Sequence, residues 1–508
     1  MKLSSLKKPL SLLLCAALMF SLLCGAGFAA GAEETTDAPD VPQIRVTTED
    51  GNGTSLQKAD GYVSASISIT DTDGSTLEDA VQFKVRGNTT AATGVLKKPY
   101  TFKFSKKKNV LGLGSGKKWA LLANAFDPTL LRNRLAFDIA YELGLEYTSN
   151  QRFAELWVDD SYRGCYAVYE PVEEGKDRVN IDIESNGGKQ DFLIEYEKSR
   201  EEEDETYFTV DGNRFIAQEP EDPDEEQLAY ITDCMTEVVD ALKTRDRAII
   251  EQKIDLESFV KFYLMNDFIK NFDFDMSSVY FYYKNGKLYA GPAWDYDLST
   301  GNEKTNDQVA NTRGNLASRT DGIFATKNLY AYLSKCAWFF DEVIAMYDEH
   351  MEYFDNIAAD GGLLDTLLAQ NSDLFARNFD TANGGWRVSK WWMSHVKQPL
   401  PTYEENYEFL KNWVAERHAW LKGYYDEHTT KTYLGDADQN SSISIDDVTE
   451  VQKVLAEYIE NDGSMTPFCD INGDGVVNIY DATAIQRHVA EFDDEYPVGS
   501  VIAKHFFA

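Results

Sequence analysis

Two acidic loops near the C-terminus hold the residues whose spacing points most directly to chemistry. Residues 436–447 and residues 470–481 each place short oxygen-bearing side chains at positions 1, 3, 5, 9 and 12 of a twelve-residue stretch. At that spacing one tight loop can surround a hard cation with carboxylate, amide and carbonyl oxygens. The loops begin 34 residues apart, so they form a tandem repeat. The pattern predicts two calcium sites, the alternative being solvated turns without metal.

A helical pattern follows each loop, whereas no comparable helix leads into it. Val448, Val451 and Leu455 recur at helical spacing after the first loop, and the second loop is followed by the same spacing. Position 12 is Asp, where an EF-hand carries Glu. Half of an EF-hand, present twice, resembles the dockerin, the calcium-dependent module by which secreted bacterial proteins bind cohesin domains. The resemblance covers about residues 433–495 and implies a small all-α domain with two EF-hand-like calcium loops and a cohesin partner.

The dockerin resemblance also implies which residues bind calcium. Ser441 replaces the usual turn glycine at position 6 of the first loop, whereas Gly475 keeps it in the second. We therefore expect the first site to be strained and weaker. The implied ligands are Asp436, Asp438, Asn440, the carbonyl of Ser442, Ser444 and Asp447 in the first loop, and Asp470, Asn472, Asp474, the carbonyl of Val476, Asn478 and Asp481 in the second.

A second set of charged residues lies in four segments of the preceding region, at 84–104, 118–133, 271–278 and 291–302. Together these segments resemble the CotH family, the spore-coat-protein-H atypical protein kinases, over most of residues 42–425. The most specific part is the fourth segment, which contains Trp-Asp-Tyr-Asp followed by Gly-Asn. The resemblance implies an enzyme that transfers phosphate from ATP to the hydroxyl of an unknown protein acceptor.

Phosphoryl transfer requires positive groups around the phosphates, a divalent metal and a carboxylate that orients the attacking hydroxyl. The resemblance implies Asp295 as a ligand of magnesium or manganese, with Asp297 supporting it or binding a second ion. Asp273 matches the family's catalytic aspartate and would accept or orient the proton of the acceptor hydroxyl. Ser278 stands five residues further on, where conventional kinases place an asparagine metal ligand. This departure puts the second metal ion in question.

The phosphate side of the site is expected to be basic. Arg86 and Asn88 flank a glycine in a tight turn with exposed backbone amides. Lys98 and Lys103 are both candidates for the phosphate-binding lysine. We favour Lys103, because strand alternation places it on the same face as Thr101.

Several of these residues have alternative interpretations. Arg132, near the start of a helix, could contact phosphate or form an ion pair at the surface or in the core. Glu170, at the end of a strand, could pair with a lysine or hold metal. Asp273 could merely end its helix, and the carboxylates of Asp295 and Asp297 could cap the backbone of a structural turn.

The elements expected to position these residues give an α+β fold. Residues 42–428 are predicted to form an atypical-protein-kinase-like catalytic domain with a helical C-terminal part, followed by the dockerin. Alternation predicts strands at 62–69, 81–86, 100–104, 152–158 and 162–169, and a hairpin at 279–283 and 287–290 turned by Asn285-Gly286. Apolar spacing predicts helices at 128–143, 226–243 and 256–271, the last with Asp255 as N-cap, and a mainly helical stretch at 328–425.

The N-terminus predicts secretion. Three lysines precede an apolar run at 10–28, and small residues at 30–32 offer a cleavage site, so residues 1–32 are predicted to be a signal peptide, with an uncleaved membrane anchor as the alternative. Its removal leaves 46 basic against 85 acidic residues. Such a charge argues against binding to nucleic acid or, after cleavage, to anionic membranes. The four cysteines that remain are too scattered for a metal cluster or a dense disulfide framework and are predicted to be mostly buried thiols.

Two other function classes stay open. One is a catalytically silent binding or structural module of a cohesin-bearing, cellulosome-type complex, since ATP is scarce outside cells. The other is a carbohydrate-active enzyme in polysaccharide degradation, with Asp273 and Asp295 as acid and base. Trp386, Trp391 and Trp392 could then stack on sugars, although their spacing is more typical of a helical core.

Overall fold

The computed structural model describes residues 38–92, 94–184, 190–202, 205–303, 311–314, 328–380, 396–460, 463–492 and 496–506. The signal peptide predicted at residues 1–32 and the three tryptophans between 386 and 392 lie outside these residues. Among the helices of the described part, none combines the length and the apolar character needed to cross a membrane.

The first part of the chain forms a closed seven-stranded barrel. Its strands run in the order β1-β2-β3-β4-β5-β7-β6. Parallel pairing of β1 with β6, in which Gln43 stands opposite Glu155, closes the barrel. Phe83, Phe102 and Trp119 are completely buried in its interior. The strands are β1 (Gln43–Thr48), β2 (Val63–Thr70), β3 (Thr76–Val85), β4 (Tyr100–Asn109), β5 (Ser115–Leu122), β6 (Gln151–Val158) and β7 (Ser161–Tyr169).

Helix α1 (Arg132–Glu142) lies between β5 and β6 in the chain. It begins four residues later than the predicted start at 128. Asp127 causes the delay, because its carboxylate accepts hydrogen bonds from the backbone N–H groups of Thr129 (2.9 Å) and Arg132 (2.9 Å). The turn also holds Leu130 in the left-handed region, with φ 63°. The bond from Arg132 N satisfies the first N–H group of the helix in the way an N-cap does.

A second sheet of five strands follows, in the order β12-β11-β8-β10-β9. The hairpin predicted at 279–290 is confirmed, with Asn285 (φ 53°) and Gly286 (φ 85°) at its turn. In β8 all five residues are buried, which explains why this strand shows no alternation in the sequence. The strands are β8 (Phe192–Tyr196), β9 (Tyr207–Val210), β10 (Asn213–Glu219), β11 (Val279–Lys284) and β12 (Lys287–Ala290).

In the described residues, the remainder of the large domain is mainly helical, as the sequence predicts. Asp255 is the N-cap of α4, where its Oδ1 accepts a hydrogen bond of 2.9 Å from Ser258 N. The helices are α2 (Glu225–Thr244), α3 (Arg247–Ile250), α4 (Leu256–Ile269), α5 (Tyr330–Leu333), α6 (Ala337–Glu349), α7 (Met351–Ile357), α8 (Leu363–Phe379) and α9 (Tyr403–Glu427). The predicted helix 256–271 ends at Ile269, because Lys270 adopts a left-handed conformation with φ 49°.

The C-terminal part is not purely helical, contrary to the all-α prediction. Strand β13 (Thr429–Tyr433) pairs antiparallel with β14 (Val501–Phe506), so the two ends of the module meet. Between them lie α10 (Ile445–Leu455), α11 (Thr466–Cys469) and α12 (Ile479–Val489), which share a core of their own. Strand β14 was not predicted from the sequence, because an edge strand in a two-stranded sheet is stabilised by pairing with its partner rather than by its own residue pattern.

The four described cysteines are buried free thiols, in agreement with the prediction. They are Cys165, Cys234, Cys336 and Cys469.

Candidate functional site

Asp273, Asp295 and Asp297 come together in one group of carboxylates. Asp273 lies on a 3-10 turn (Phe272–Asp275) after α4 rather than at the end of the helix itself, and the other two lie on the loop that follows β12. Burial raises the pKa of Asp297 well above its usual range, and repulsion from Asp295, Asp273 and Asp127 raises it further. The carboxylates of Asp295, Asp273 and Asp127 are therefore near enough to Asp297 to disfavour its charged form. Burial also raises the pKa of Asp295, while the positive charge of Arg86 opposes the shift.

Buried amide side chains hold the loop that carries Asp295 and Asp297. Asn302 Nδ2 donates to the carbonyls of Asp297 (2.7 Å) and Phe126 (2.8 Å). Asn133 Oδ1 accepts a hydrogen bond from Tyr296 N at 2.7 Å. Asp295 itself has φ 64°, a left-handed conformation that an L-residue adopts only where its surroundings impose it.

Arg132 belongs to the support of this loop. Its guanidinium is buried and pairs with Asp127 (Nη1 to Oδ1, 2.5 Å). Its Nε donates to the carbonyl of Ser299 at 3.2 Å. Of the two interpretations of Arg132, these contacts favour the core ion pair over a phosphate contact.

Arg86 lies beside the carboxylate group and has an unsatisfied donor. Its Cζ lies 4.9 Å from the centroid of the Trp294 ring. Its Nη1 is buried and has no hydrogen-bond partner within the part of the chain that the structure describes. Burial lowers the pKa of Arg86, while electrostatic interactions with Tyr280 and Asp295 oppose this shift. A buried guanidinium nitrogen without an acceptor is costly unless an anion binds there.

Two other residues predicted on the phosphate side, Asn88 and Lys98, have protein partners. Asn88 is exposed, and its Oδ1 accepts a hydrogen bond of 2.7 Å from Lys58 Nζ. Lys98 is buried, its Nζ donates to the carbonyls of Ala91 (2.8 Å) and Ala92 (2.5 Å), and burial lowers its pKa. Lys98 therefore secures the turn that follows Asn88.

Lys103 is exposed on the outer face of β4. It stands between Gln82 of β3 and Lys118 of β5 in the sheet register. Thr101 shares this face, as predicted, but is buried. Among the described residues, Lys103 forms no hydrogen bond or ion pair with Asp273, Asp295 or Asp297.

Glu170 pairs with an arginine rather than a lysine. Its Oε1 lies 3.5 Å from Arg178 Nε. Burial raises the pKa of Glu170, and the charge of Arg178 opposes the shift. Arg178 also pairs with Glu173, so this part of the barrel wall forms its own ion-pair network.

Sequence reasoning did not single out Glu195, which contacts Ser278. Ser278 has φ 59°, and its backbone N donates to Glu195 Oε1 at 3.2 Å. Burial raises the pKa of Glu195 to about 7. The available signal was a lone carboxylate in the otherwise apolar run Phe-Leu-Ile-Glu-Tyr, because a charged side chain is rarely buried without a specific partner.

The first acidic loop gathers three of its predicted ligands. Carboxylate oxygens of Asp436, Asp438 and Asp447 lie within 4.8 Å of one another. Asp436 accepts hydrogen bonds from Asn440 N (3.0 Å) and Ser441 N (2.8 Å). Ser442 N donates to Asn440 Oδ1, and Ser444 is the N-cap of α10. Burial raises the pKa of Asp436.

The second loop repeats this hydrogen-bond pattern. Asp470 accepts from Asp474 N (3.1 Å) and Gly475 N (2.7 Å), at the positions that match Asp436 in the first loop. The remaining bonds follow the same order: Val476 N donates to Asp474 Oδ1, Asp474 N to Asn472 Oδ1, and Asn478 N to Asp481 Oδ2, while Asn478 caps α12.

Comparison with known protein families gives two matches. The family described as CotH kinase protein matches residues 83–421, and the dockerin type I domain matches residues 434–490. No curated protein matches the chain. The dockerin match implies calcium binding and binding to a cohesin, and it suggests an extracellular, cellulosome-type complex. The CotH match covers about two thirds of the chain and indicates a kinase-like protein. The chain belongs to the CotH kinase family.

Proposed function

We propose that the domain at residues 42–428 transfers a phosphoryl group from ATP to the hydroxyl of a protein acceptor. The observation that carries this proposal is the acidic group in which Asp273 and Asp295 repel the buried Asp297, beside an arginine with an unsatisfied Nη1. Carboxylates raised in pKa by burial and by one another are stabilised when a divalent cation neutralises them. An arginine donor without a protein acceptor suits a phosphate oxygen.

We expect the site to use magnesium or manganese with ATP. Asp295 and Asp297 would hold the metal, which when bound neutralises charge on the phosphates, and Ser278 would offer a hydroxyl where conventional kinases offer an amide. Asp273 would orient the acceptor hydroxyl and accept its proton. Arg86 would bind a phosphate oxygen, the turn at Asn88 would cover the phosphates, and exposed Lys103 would reach in from the outer face of β4.

The other predicted residues act through these groups. Lys98 would keep the turn after Asn88 closed, since its ammonium binds two carbonyls there. Arg132 would hold the loop that carries Asp295 and Asp297. Glu170 would stiffen the barrel wall through Arg178.

The domain at residues 433–495 would tether this enzyme to a complex. Two calcium ions would bind the twelve ligands predicted in the paired loops, and the loaded module would bind a cohesin of a scaffold protein. We further propose that residues 1–32 are a signal peptide and that the mature protein acts outside the cell.

The test uses the chain from residue 33 with calcium, ATP and manganese or magnesium. We expect phosphorylation of the protein itself or of a casein-like acceptor. Asp295→Ala should reduce the rate by about 100-fold or more, and Asp273→Asn by about 100-fold. Asp240→Ala, which removes an exposed carboxylate from α2, is the control and should keep full activity. Transfer that survives Asp295→Ala would refute the assignment, and an absence of any transfer or nucleotide binding would favour the silent module.

A further inference from the structure

Glu195 is a buried carboxylate that contacts the segment carrying Asp273. It lies in β8, directly opposite Tyr280 of β11, and only 3% of its surface is exposed. A carboxylate in such a place must be compensated by hydrogen bonds or by opposite charge, because burial of an unpaired charge is costly.

Protein donors occupy both oxygens of the Glu195 carboxylate. Oε1 accepts a hydrogen bond of 3.2 Å from Ser278 N. Oε2 accepts from Gln218 Nε2 (2.8 Å) and from the hydroxyl of Tyr280 (3.1 Å). Arg200 Nη2 lies 3.9 Å from Oε1. This side chain is therefore built to hold protein groups in place, and its arginine neighbour makes a metal ion at the same oxygens unfavourable.

Ser278 is the far end of the segment that begins at Asp273. Asn271 Oδ1 accepts from Asp273 N (3.1 Å) and fixes the start of the segment. The carbonyl of Asp273 accepts from Met276 N (2.8 Å) and Ser277 N (3.0 Å). Ser278 then has a left-handed φ, which is unfavourable for serine and persists only where a partner holds the backbone. For Ser278 that partner is Glu195, whose Oε1 accepts the hydrogen bond from Ser278 N.

Tyr280 adds a second anchor to Glu195. Its hydroxyl donates to Glu195 Oε2 at 3.1 Å. Burial raises the pKa of Tyr280 well above its usual range, so the phenol stays protonated and remains a hydrogen-bond donor. The bond holds the Glu195 carboxylate in the orientation in which Oε1 reaches Ser278 N.

We propose that Glu195 is a positioning residue for phosphoryl transfer, which fixes the backbone at Ser278 and thereby the placement of Asp273. This inference rests on the proposed kinase function. Glu195 neither donates nor accepts a proton in the reaction. It acts through an oxygen that accepts a hydrogen bond, and its side chain is long enough to bring that oxygen to Ser278 N. A displacement of about 1 Å in a catalytic group can reduce a rate by about 100-fold.

Two conservative variants separate the effect of the length of the Glu195 side chain from the effect of its charge. Glu195→Gln keeps the length of the side chain and an acceptor for Ser278 N but loses the charge. Glu195→Asp keeps the charge but withdraws the carboxylate by about 1.5 Å. We expect Glu195→Asp to lower kcat by about 10- to 100-fold with the KM for ATP within about threefold of the parent, and Glu195→Gln to stay within about fivefold in kcat.

Glu155→Asp is the matched control. Glu155 is also a buried carboxylate bound to a tyrosine hydroxyl (Tyr162, 2.9 Å) and an arginine (Arg377, 3.0 Å), but it lies in β6 of the barrel. Its shortening should leave kcat and KM unchanged. A Glu195→Asp protein with the parent's kcat, or a Glu195→Gln protein as impaired as Glu195→Asp, would overturn the inference.

Amide hydrogen exchange gives a readout that does not need activity. In the calcium-loaded protein without nucleotide, the amide of Ser278 should exchange at least about tenfold faster in Glu195→Asp than in the parent or in Glu195→Gln. Unchanged exchange would refute the bond's role in holding the segment. A parent protein that shows this exchange pattern but transfers no phosphate would refute the proposed function instead, so the two failures are distinguishable.

Discussion

Gly301 lies against the indole of Trp413, so closely that a Cβ on Gly301 would stand 2.5 Å from Trp413 Cδ1. Trp413 belongs to α9, and Gly301 immediately precedes Asn302, which holds the loop of Asp295 and Asp297. The φ of Gly301 is 73°, so both its conformation and its lack of a side chain are required. Helix α9 therefore sets the position of the carboxylate loop through this contact.

Gly301→Ala should destabilise the protein and impair the candidate site. The strained φ and the clash with Trp413 together should lower the free energy of unfolding by about 2–4 kcal/mol, as measured by urea denaturation. Gly423→Ala is the matched control, because Gly423 lies in the same helix with open space around its Cα. That change should raise stability by about 0.5–1 kcal/mol. Equal effects of the two substitutions would contradict the contact.

Local patterns in the sequence predicted much of this architecture. The strand alternation, the Asn-Gly hairpin and the Asp255 cap are short-range features, so their residues were sufficient to indicate them. Closure of the barrel was not predictable in this way, because the parallel pairing of β1 with β6 joins Gln43 to Glu155, which are far apart in the sequence. A strand that pairs at long range carries little local signal.

In the candidate site, too, the sequence indicated local features but not the contacts between distant parts of the chain. The motif residues Asp273, Asp295 and Asp297 were identifiable from their types and order, and in the structure the first two act electrostatically on the third. Alternation correctly placed Lys103 on the face of Thr101, but it could not show which outer position is buried and which is exposed. Partners such as Arg178 for Glu170 or Asp127 for Arg132 depend on packing, which spacing alone does not determine.

The stability of the protein should rise at alkaline pH because of Lys97. This lysine is buried, and its Nζ donates to the carbonyl of Cys165 (2.5 Å) and to Asn378 Oδ1 (3.2 Å). Burial lowers its pKa to about 8. The unfolded chain therefore binds more protons than the folded one between about pH 8 and pH 10.5, so the penalty for burying the charge is present below pH 8 and disappears across that window.

The measurement compares the parent protein with Lys97→Met by urea denaturation from pH 7 to pH 10.5. The stability of the parent relative to Lys97→Met should rise by up to about 3 kcal/mol across this window. Ionisation of other groups contributes equally to both proteins and cancels in the difference. A difference that is constant with pH would show that Lys97 keeps an ordinary pKa.

The two calcium sites should differ in affinity. Positions 4 and 6 of each loop adopt left-handed φ values, at Gln439 (56°) and Ser441 (68°) in the first loop and at Gly473 (71°) and Gly475 (85°) in the second. Glycine adopts this conformation without strain, whereas other residues lose about 1 kcal/mol. The first loop should therefore bind calcium more weakly.

Reciprocal substitutions at position 6 test this expectation by calorimetric calcium titration. Ser441→Gly should tighten the first site, and Gly475→Ser should weaken the second, each by about two- to fivefold. Gly463→Ser is the control, because Gly463 also has a positive φ (82°) but lies between the loops. It should affect stability without changing calcium affinity. If the two calcium affinities differ but do not respond to these substitutions, the difference arises from the ligand side chains rather than from backbone strain at position 6.

Strand β14 should support calcium binding by the first loop. Strand β13 ends three residues before Asp436, and the bonds from Leu434 N to Ser500 O (2.9 Å) and from Gly499 N to Leu434 O (2.7 Å) continue its pairing to the start of the loop. Strand β14 also contacts α6, where His505 Nδ1 lies 3.5 Å from Asp341 Oδ2. The pairing thus fixes the backbone from which Asp436 projects.

Deletion of residues 501–508 should weaken the first calcium site by about two- to tenfold, a loss of about 0.4–1.4 kcal/mol, because calcium binding must then order the start of the loop. The second site, which begins at Asp470 after α11, should change little. Deletion of residues 507 and 508 alone leaves the strand pair intact and serves as the control. Calcium titration of the three proteins checks the prediction, and equal weakening of both sites would mean that β14 stabilises the module as a whole rather than the first loop.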